Sequence, residues 1–296
     1  MGDTTNKTGN FMNRLKQQQG IGFDLAGLIC LLVFMGPMLL VSSPGFSQAG
    51  DIEDSRPAPR GEDGHVHFEA PAGETGIWGR RSGGSLVTNP DSYEARNTLN
   101  ARVHIDDVPL QPWARALTNY RHDVFLASEP YTRCKPAGGP RQLMSPYGLE
   151  IVSIPDQQRI IILNISNAQS YRVIYLDGRA HPDNLRPSYF GHSIGHWEGD
   201  TLVVDTLGMN EKSWMSRDGL PHTEALHLVE RFTRTSLDTL NYDVTIDDPG
   251  AYTAPWTSGF VLGWQEGDEL FEYICQENNL SPESMLGEGR LSKITP

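Results

Sequence analysis

Residues 191–206 read GHSIGHWEGDTLVVDT, and two architectures compete for them. The first five fit G-x-S-x-G, the nucleophile elbow of α/β-hydrolases, with Ser193 as nucleophile. An elbow needs an apolar strand before it and a helix after it, because its serine sits on a strained strand-to-helix turn. Here the preceding HPDNLRPSYF carries two prolines and little β character, and the following HWEGDTLVVDT reads as a hairpin turning at Glu198-Gly199-Asp200. Beyond the near neighbour His196, the histidines that follow are His222 and His227, and no βαβ unit precedes them. Ser193 is therefore a strand residue. In a strand, His192, Ile194 and His196 face one way, and Ser193, Gly195 and Trp197 the other. Gly191 and Gly195 mark bends or places where something approaches the backbone closely.

The same texture extends in both directions. LEIVSIP, QRIIILNIS, SYRVIYLDG, TLVVDT, ALHLVERFTR, TLNYDVTID, SGFVLGW and ELFEYICQE are short, rich in β-branched and aromatic residues, and separated by turn residues. PDQ, DGR, EGD, SLD and QEGD leave no room for crossover helices, so neighbours are expected to pair antiparallel. About nine such strands close into a barrel or split into a sandwich. The fold expected is mainly β, an antiparallel meander closing into a barrel-like, lipocalin-like domain. WEGDTL at 197–202 echoes WQEGDEL at 264–270, which suggests two similar hairpins. In VPLQPWARALTNYRHDVFL (108–126), Pro112 starts one helix, packed at the N-terminal side of the barrel, with Trp113, Ala116, Leu117 and Tyr120 on its apolar face.

The ends of the chain read differently. Lys7, Arg14 and Lys16 precede an apolar run from Leu25 to Val41, and Ser47 and Ala49 are the small residues of a cleavage site before Gly50. Residues 1–49 are thus expected to be a signal peptide, which makes the protein periplasmic or secreted, with no membrane partner after cleavage. Residues 50–96 read as an irregular, partly disordered arm, in which His65 and His67 belong to a solvated tail, and 97–290 as a single β-rich domain. The full chain of 296 residues carries a formal charge of −13, which argues against nucleic acid as a partner. Two of its three cysteines, Cys134 and Cys275, remain after cleavage, and an even pair in an exported chain suggests a disulfide.

Polar residues within the strand region supply the candidate site. YLDGR ends a strand with Asp177 and Arg179 at a turn, GLPHTEALHLVERF holds His222, Glu224, His227, Glu230 and Arg231, and IDDPGAYTAPW holds Tyr252 and Trp256. An inward histidine and carboxylate among apolar residues define a ligand chamber, whereas an outward Glu230-Arg231 pair is a solvated face. His192, His222, Asp177 and Glu230 are the candidates for acid–base work, since a near-neutral imidazole beside a carboxylate moves protons without a cofactor. Arg179, Trp197, Trp214, Tyr252 and Trp256 are the candidate ligand contacts. No cofactor and no resident metal are expected, because no tight fingerprint such as H-E-x-x-H is present.

Several segments taken together carry a resemblance. YLDGRAHP, GHSIGHWEGDTLVVDT, PHTEALHLVER, TIDDPGAYTAPW and EYICQEN, with PLQPWA and the stretch from Cys134 to Arg141 upstream, resemble a family of exported bacterial proteins without an established activity. The resemblance spans about 109–279 and implies that the strand region is one unit and that Cys134 and Cys275 belong together. It brings no reaction or cofactor. Position 196, often Arg in that family's pattern, is His196 here, which puts His192 and His222 ahead of it. The function expected is a barrel that binds a small, partly apolar molecule in a chamber lined by Trp and His. Proton transfer is the chemistry open to such a chamber, and the sequence leaves open whether the protein is an enzyme. A metal-assisted hydrolase using His192 and His222, and a non-catalytic envelope or protein-binding domain, are the alternatives.

Overall fold

The computed structural model describes residues 56–80, 85–88, 103–124, 127–165, 170–277 and 279–280. The expected signal peptide lies outside them. Nine strands form one closed barrel: β1 (Gly76–Arg80), β2 (Leu149–Ile154), β3 (Arg159–Asn164), β4 (Tyr171–Tyr175), β5 (His192–Glu198), β6 (Thr201–Leu207), β7 (His227–Arg234), β8 (Thr239–Asp247) and β9 (Trp256–Glu266). Each strand pairs with the next, and β1 with β9 closes the circle. The alternation of the sequence sets which side chains point inward, because successive residues face opposite sides of a sheet. Leu228, Glu230, Phe232 and Arg234 of β7 and Leu240, Tyr242, Val244 and Ile246 of β8 are buried and meet across the register as Leu228–Ile246, Glu230–Val244, Phe232–Tyr242 and Arg234–Leu240.

The expected meander differs from the barrel at three places. First, β4 and β5 pair in parallel, through Ile174–Ser193 and Tyr175–Ile194. The linking stretch 176–191 carries Pro182 and Pro187, so it cannot form a crossover helix, and it returns along the outside as an irregular strap. Its Ser188 bridges Met209, with Asn210 N–H donating to the Ser188 carbonyl at 2.7 Å.

Second, ELFEYICQE forms no strand, and β1 comes instead from the stretch read as an irregular arm. The echo fails for the same reason. Gly199 turns the β5–β6 hairpin, whereas after Gly267 (φ 82°) the chain does not pair back onto β9, whose last residues are already matched with Gly76 and Ile77. GIWGR is too short and too glycine-rich to show a strand pattern by itself, and it is stabilised by Trp78, which is 1% exposed and donates its indole N–H to the Phe68 carbonyl at 2.7 Å. The preceding residues are not a solvated tail either. Arg60 clamps Asp200 through both nitrogens at 2.7 and 2.6 Å, His65 stacks on Trp197 at 4.7 Å, and Phe68 is fully buried.

Third, the helix α1 (Pro112–Asp123) forms as expected, but a different face packs. Trp113 and Tyr120 are exposed, while Ala114 and Thr118 are buried. Small residues four apart let the helix lie close to its neighbours, and polar bonds hold it. The Arg115 guanidinium donates to the carbonyls of Ile105 and Val108 at 2.9 and 2.7 Å, and Arg121 to that of Gly219 at 2.6 Å. Cys134 and Cys275 are joined, with Cα atoms 5.5 Å apart. Among the described residues no helix is long and apolar enough to cross a membrane.

Candidate functional site

The barrel interior is filled. Phe68, Ile151, Ile162, Ile174, Leu202 and Phe232 meet with no room for a water molecule between them. Deeper along the same lumen, Arg172 and Glu230 form a fully buried ion pair. The Arg172 guanidinium donates to Ser193 Oγ at 3.0 Å, to Thr206 Oγ1 at 2.7 Å and to both Glu230 oxygens, and Tyr242 donates its hydroxyl to Glu230 Oε1 at 2.9 Å. Burial, followed by the Glu230 charge, pushes the Tyr242 hydroxyl well above its ordinary range. Glu230 does point inward, but into a closed network and not into a chamber. Ser193 belongs to the same network, on a hairpin strand with no helix after it.

The expected residues fall into separate places. His222, 3% exposed, sits in the loop between β6 and β7, where Ser213 Oγ meets its Nε2 and the Thr223 carbonyl meets its Nδ1, both at 3.3 Å. Tyr252, Trp256 and Trp214 are buried, and Tyr252 donates its hydroxyl to the Pro221 carbonyl at 2.8 Å. Trp197 lies at the far end of β5 between His65 and Phe68. His192 and His222 share no partner. Among the described residues no three His, Cys, Asp or Glu side chains are grouped so as to hold a metal ion.

His222 has a consequence for acid stability. Burial holds its imidazole below the ordinary value of about 6.5, so the folded protein binds fewer protons than the unfolded chain between the two values. Its contribution is therefore fully present above pH ~6.5 and is lost as the pH falls from there toward the folded value. Urea titrations from pH 7.5 to 5 are expected to show falling stability, and His222→Gln to flatten part of that slope. An unchanged slope would remove His222 as its source.

What the structure brings together lies on the outer face of β4–β7. His192 starts β5 facing outward, and its Nδ1 lies 2.8 Å from Nδ1 of His181. His181, carried there by the proline-containing strap, places Nε2 2.9 Å from Asp205 Oδ1 on β6, and His227 at the start of β7 places Nε2 2.8 Å from Asp205 Oδ2. The Tyr175 ring stacks on His192 at 5.4 Å, and the Arg179 guanidinium lies 3.9 Å over Tyr175. Asp177 accepts from Arg179 Nε at 2.8 Å, which holds its carboxyl below the usual range. Burial first, then His181 and Arg179, lowers the His192 imidazole. Gly191 gives the strap its entry to β5: at φ 63° a side chain is disfavoured, and a Cβ would stand 2.4 Å from the Leu207 carbonyl oxygen.

The proton positions in this row follow from its partners. Asp205 as a carboxylate only accepts, so His181 and His227 both present N–H at Nε2. A neutral His181 then offers a lone pair at Nδ1, and His192 must donate its own Nδ1–H to it. That leaves His192 Nε2 as an unprotonated base. Sequence reasoning selected Asp177, Arg179 and His192, named His227 without giving it a role, and missed His181, Asp205 and Tyr175. All four of the unselected residues lie in segments that carry the resemblance, Tyr175 and His181 in YLDGRAHP, Asp205 in TLVVDT and His227 in PHTEALHLVER, and that concentration of polar residues was the available signal. The chain matches no protein-family model, and no curated protein or solved structure was found to be similar to it.

Proposed function

We propose that this is an exported protein which binds a small, partly apolar molecule against the outer histidine row and moves a proton on it, with His192 as the base. The observation that carries the reading is the contact between His192 Nδ1 and His181 Nδ1, with His181 anchored on Asp205. When His192 Nε2 takes a proton, its Nδ1–H can pass to His181, so the positive charge ends beside the Asp205 carboxylate. An orienting carboxylate behind an imidazole fixes its tautomer and stabilises the charged form. Tyr175 offers an aromatic wall, and Arg179 places a cation near His192 where negative charge develops on the ligand. The disulfide fits an oxidising compartment, in keeping with export.

The test is a panel of small esters, lactones and enolisable ketones, the last followed by deuterium exchange. Wild type is compared with His192→Gln and Asp205→Asn, folding being checked separately by circular dichroism. A positioned general base contributes on the order of 10²–10⁴ in rate, so a substrate found in the panel is expected to lose at least a hundredfold with His192→Gln. Its rate is expected to be flat above neutral pH and to fall in acid, because the free base is present above a lowered pKa. Full turnover by folded His192→Gln would sink the assignment.

A further inference from the structure

A second group of polar atoms lies away from the histidine row, beside the disulfide-bearing loop. Arg141, 3% exposed, follows Pro140 in the one-turn helix α2 (Pro140–Leu143) and donates from Nη2 to Glu129 Oε1 at 2.7 Å. Its Nε and Nη1 are buried and make no hydrogen bond, and neither does the buried Tyr131 hydroxyl, whose ring lies 4.4 Å under the guanidinium. Arg141 and Tyr131 line a cavity of about 10 Å³ together with Glu129, Ser213 and Trp214, room for a single small guest.

Leaving such donors unpaired is costly, and more so when they belong to a charged group. Buried polar groups without partners call for an explanation, and an unseen water or ion is the usual one. Here the orphans are three guanidinium N–H bonds and one hydroxyl, a set dominated by donors, which a guest that only accepts satisfies best. The charge around the cavity points the same way. Arg141 is balanced by Glu129, but Arg121, lying 4.4 Å over the Trp214 ring, has no carboxylate partner among the described residues. Burial lowers Arg121 to about 10, still charged at neutral pH, so a half-buried positive charge without a carboxylate partner stands against Trp214, which lines the cavity.

We propose that the cavity between Arg141, Tyr131 and Trp214 is a binding site for one monovalent, halide-sized anion. Bound there, the anion ties α2 and the 129–134 turn to the loop that carries Ser213 and Trp214. The site is independent of the histidine row and shares no residue with it.

Diffraction from crystals of the full chain grown in bromide, measured at the bromine edge, tests the site directly. An anomalous peak within hydrogen-bond distance of Arg141 Nε or Nη1 is expected, and a guest with no anomalous signal, refining as water, would overturn the proposal. In solution, Tm is expected to rise saturably when chloride or bromide replaces gluconate at equal ionic strength. Tyr131→Phe is expected to weaken that dependence roughly tenfold, by removing one hydrogen bond to a charged partner. Equal Tm in all three anions would also overturn it. Arg141→Gln is expected to abolish the halide dependence; should it fail to fold, the wild-type halide series and Tyr131→Phe decide the matter.

Discussion

Glu230→Ala is expected to lower folding stability by about 3–5 kcal/mol, the usual loss when one partner of a buried ion pair is removed. The carboxylate faces Arg172 at the centre of the barrel, and both side chains are essentially sealed from water. Removing it strands a guanidinium that cannot reach solvent, and leaves the Tyr242 hydroxyl without its acceptor. Ser193 and Thr206 retain their bonds to Arg172, but neutral hydroxyls do not compensate a buried charge. Replacing both partners with apolar residues, Arg172→Met with Glu230→Leu, is expected to recover most of the loss, since a packed apolar pair of similar volume is often as stable as a buried salt bridge. Guanidinium denaturation of Glu230→Ala and of the double variant measures the loss and its recovery. A single variant within 1 kcal/mol of wild type would mean that water reaches the lumen and that the interior is an open chamber after all.

That network also shows what was legible in the sequence and what was not. The strands β2 to β9 announce themselves because each is short, rich in β-branched and aromatic residues, and bounded by turn residues. ELFEYICQE has the same composition yet forms no strand, because β9 already pairs with β1. Strand propensity says that a segment suits a sheet; which edge is still open is decided by the rest of the chain. The parallel β4–β5 pair was hidden similarly. A crossover is usually recognised by its helix, and here an irregular strap with two prolines does that work.

The site was half legible. The period of two groups His192 with Ile194 and His196 on one side of its strand, but the histidine was expected in an inner chamber and stands instead on the outer face, with the turn residues Asp177 and Arg179 close to it. His181 could not be found by any periodicity, since it lies in the strap and reaches His192 only because β4 and β5 run in parallel. His222 and His192 carry similar signals in sequence, each a histidine beside Gly or Pro near a strand. Burial separates them: one is locked between Ser213 and Thr223 in a loop, and the other stands on the outer face with a histidine and an aromatic ring for neighbours. Strand alternation assigns a face, and only the closed barrel determines which of the two faces is sealed.

Removing the cross-link, as Cys134→Ser with Cys275→Ser, is expected to cost about 5 kcal/mol in the chain-entropy picture, because the bond closes a loop of 141 residues that contains eight of the nine strands. The loss arises in the unfolded state, whose ends are freed, so the barrel itself keeps its register: β1 still pairs with β9, and no strand includes either cysteine. A local effect is expected as well. Residues 268–275 have no strand partner, and their ring contacts to the barrel side run through Tyr147 alone, to Phe271 and Tyr273. With Cys275 released the segment loses its covalent tie to the 130–134 turn, and its amides are expected to exchange with solvent far faster while those of β6–β8 stay protected. At the other end, Cys134 takes a left-handed backbone conformation (φ 58°), which a non-glycine residue adopts only where its surroundings impose it. The 130–134 turn is therefore expected to relax too, and with it the position of Tyr131. Guanidinium denaturation of the double serine variant measures the first effect and hydrogen exchange by mass spectrometry the second. A stability loss under 1 kcal/mol together with unchanged exchange in 268–277 would show that packing, not the covalent bond, holds the tail.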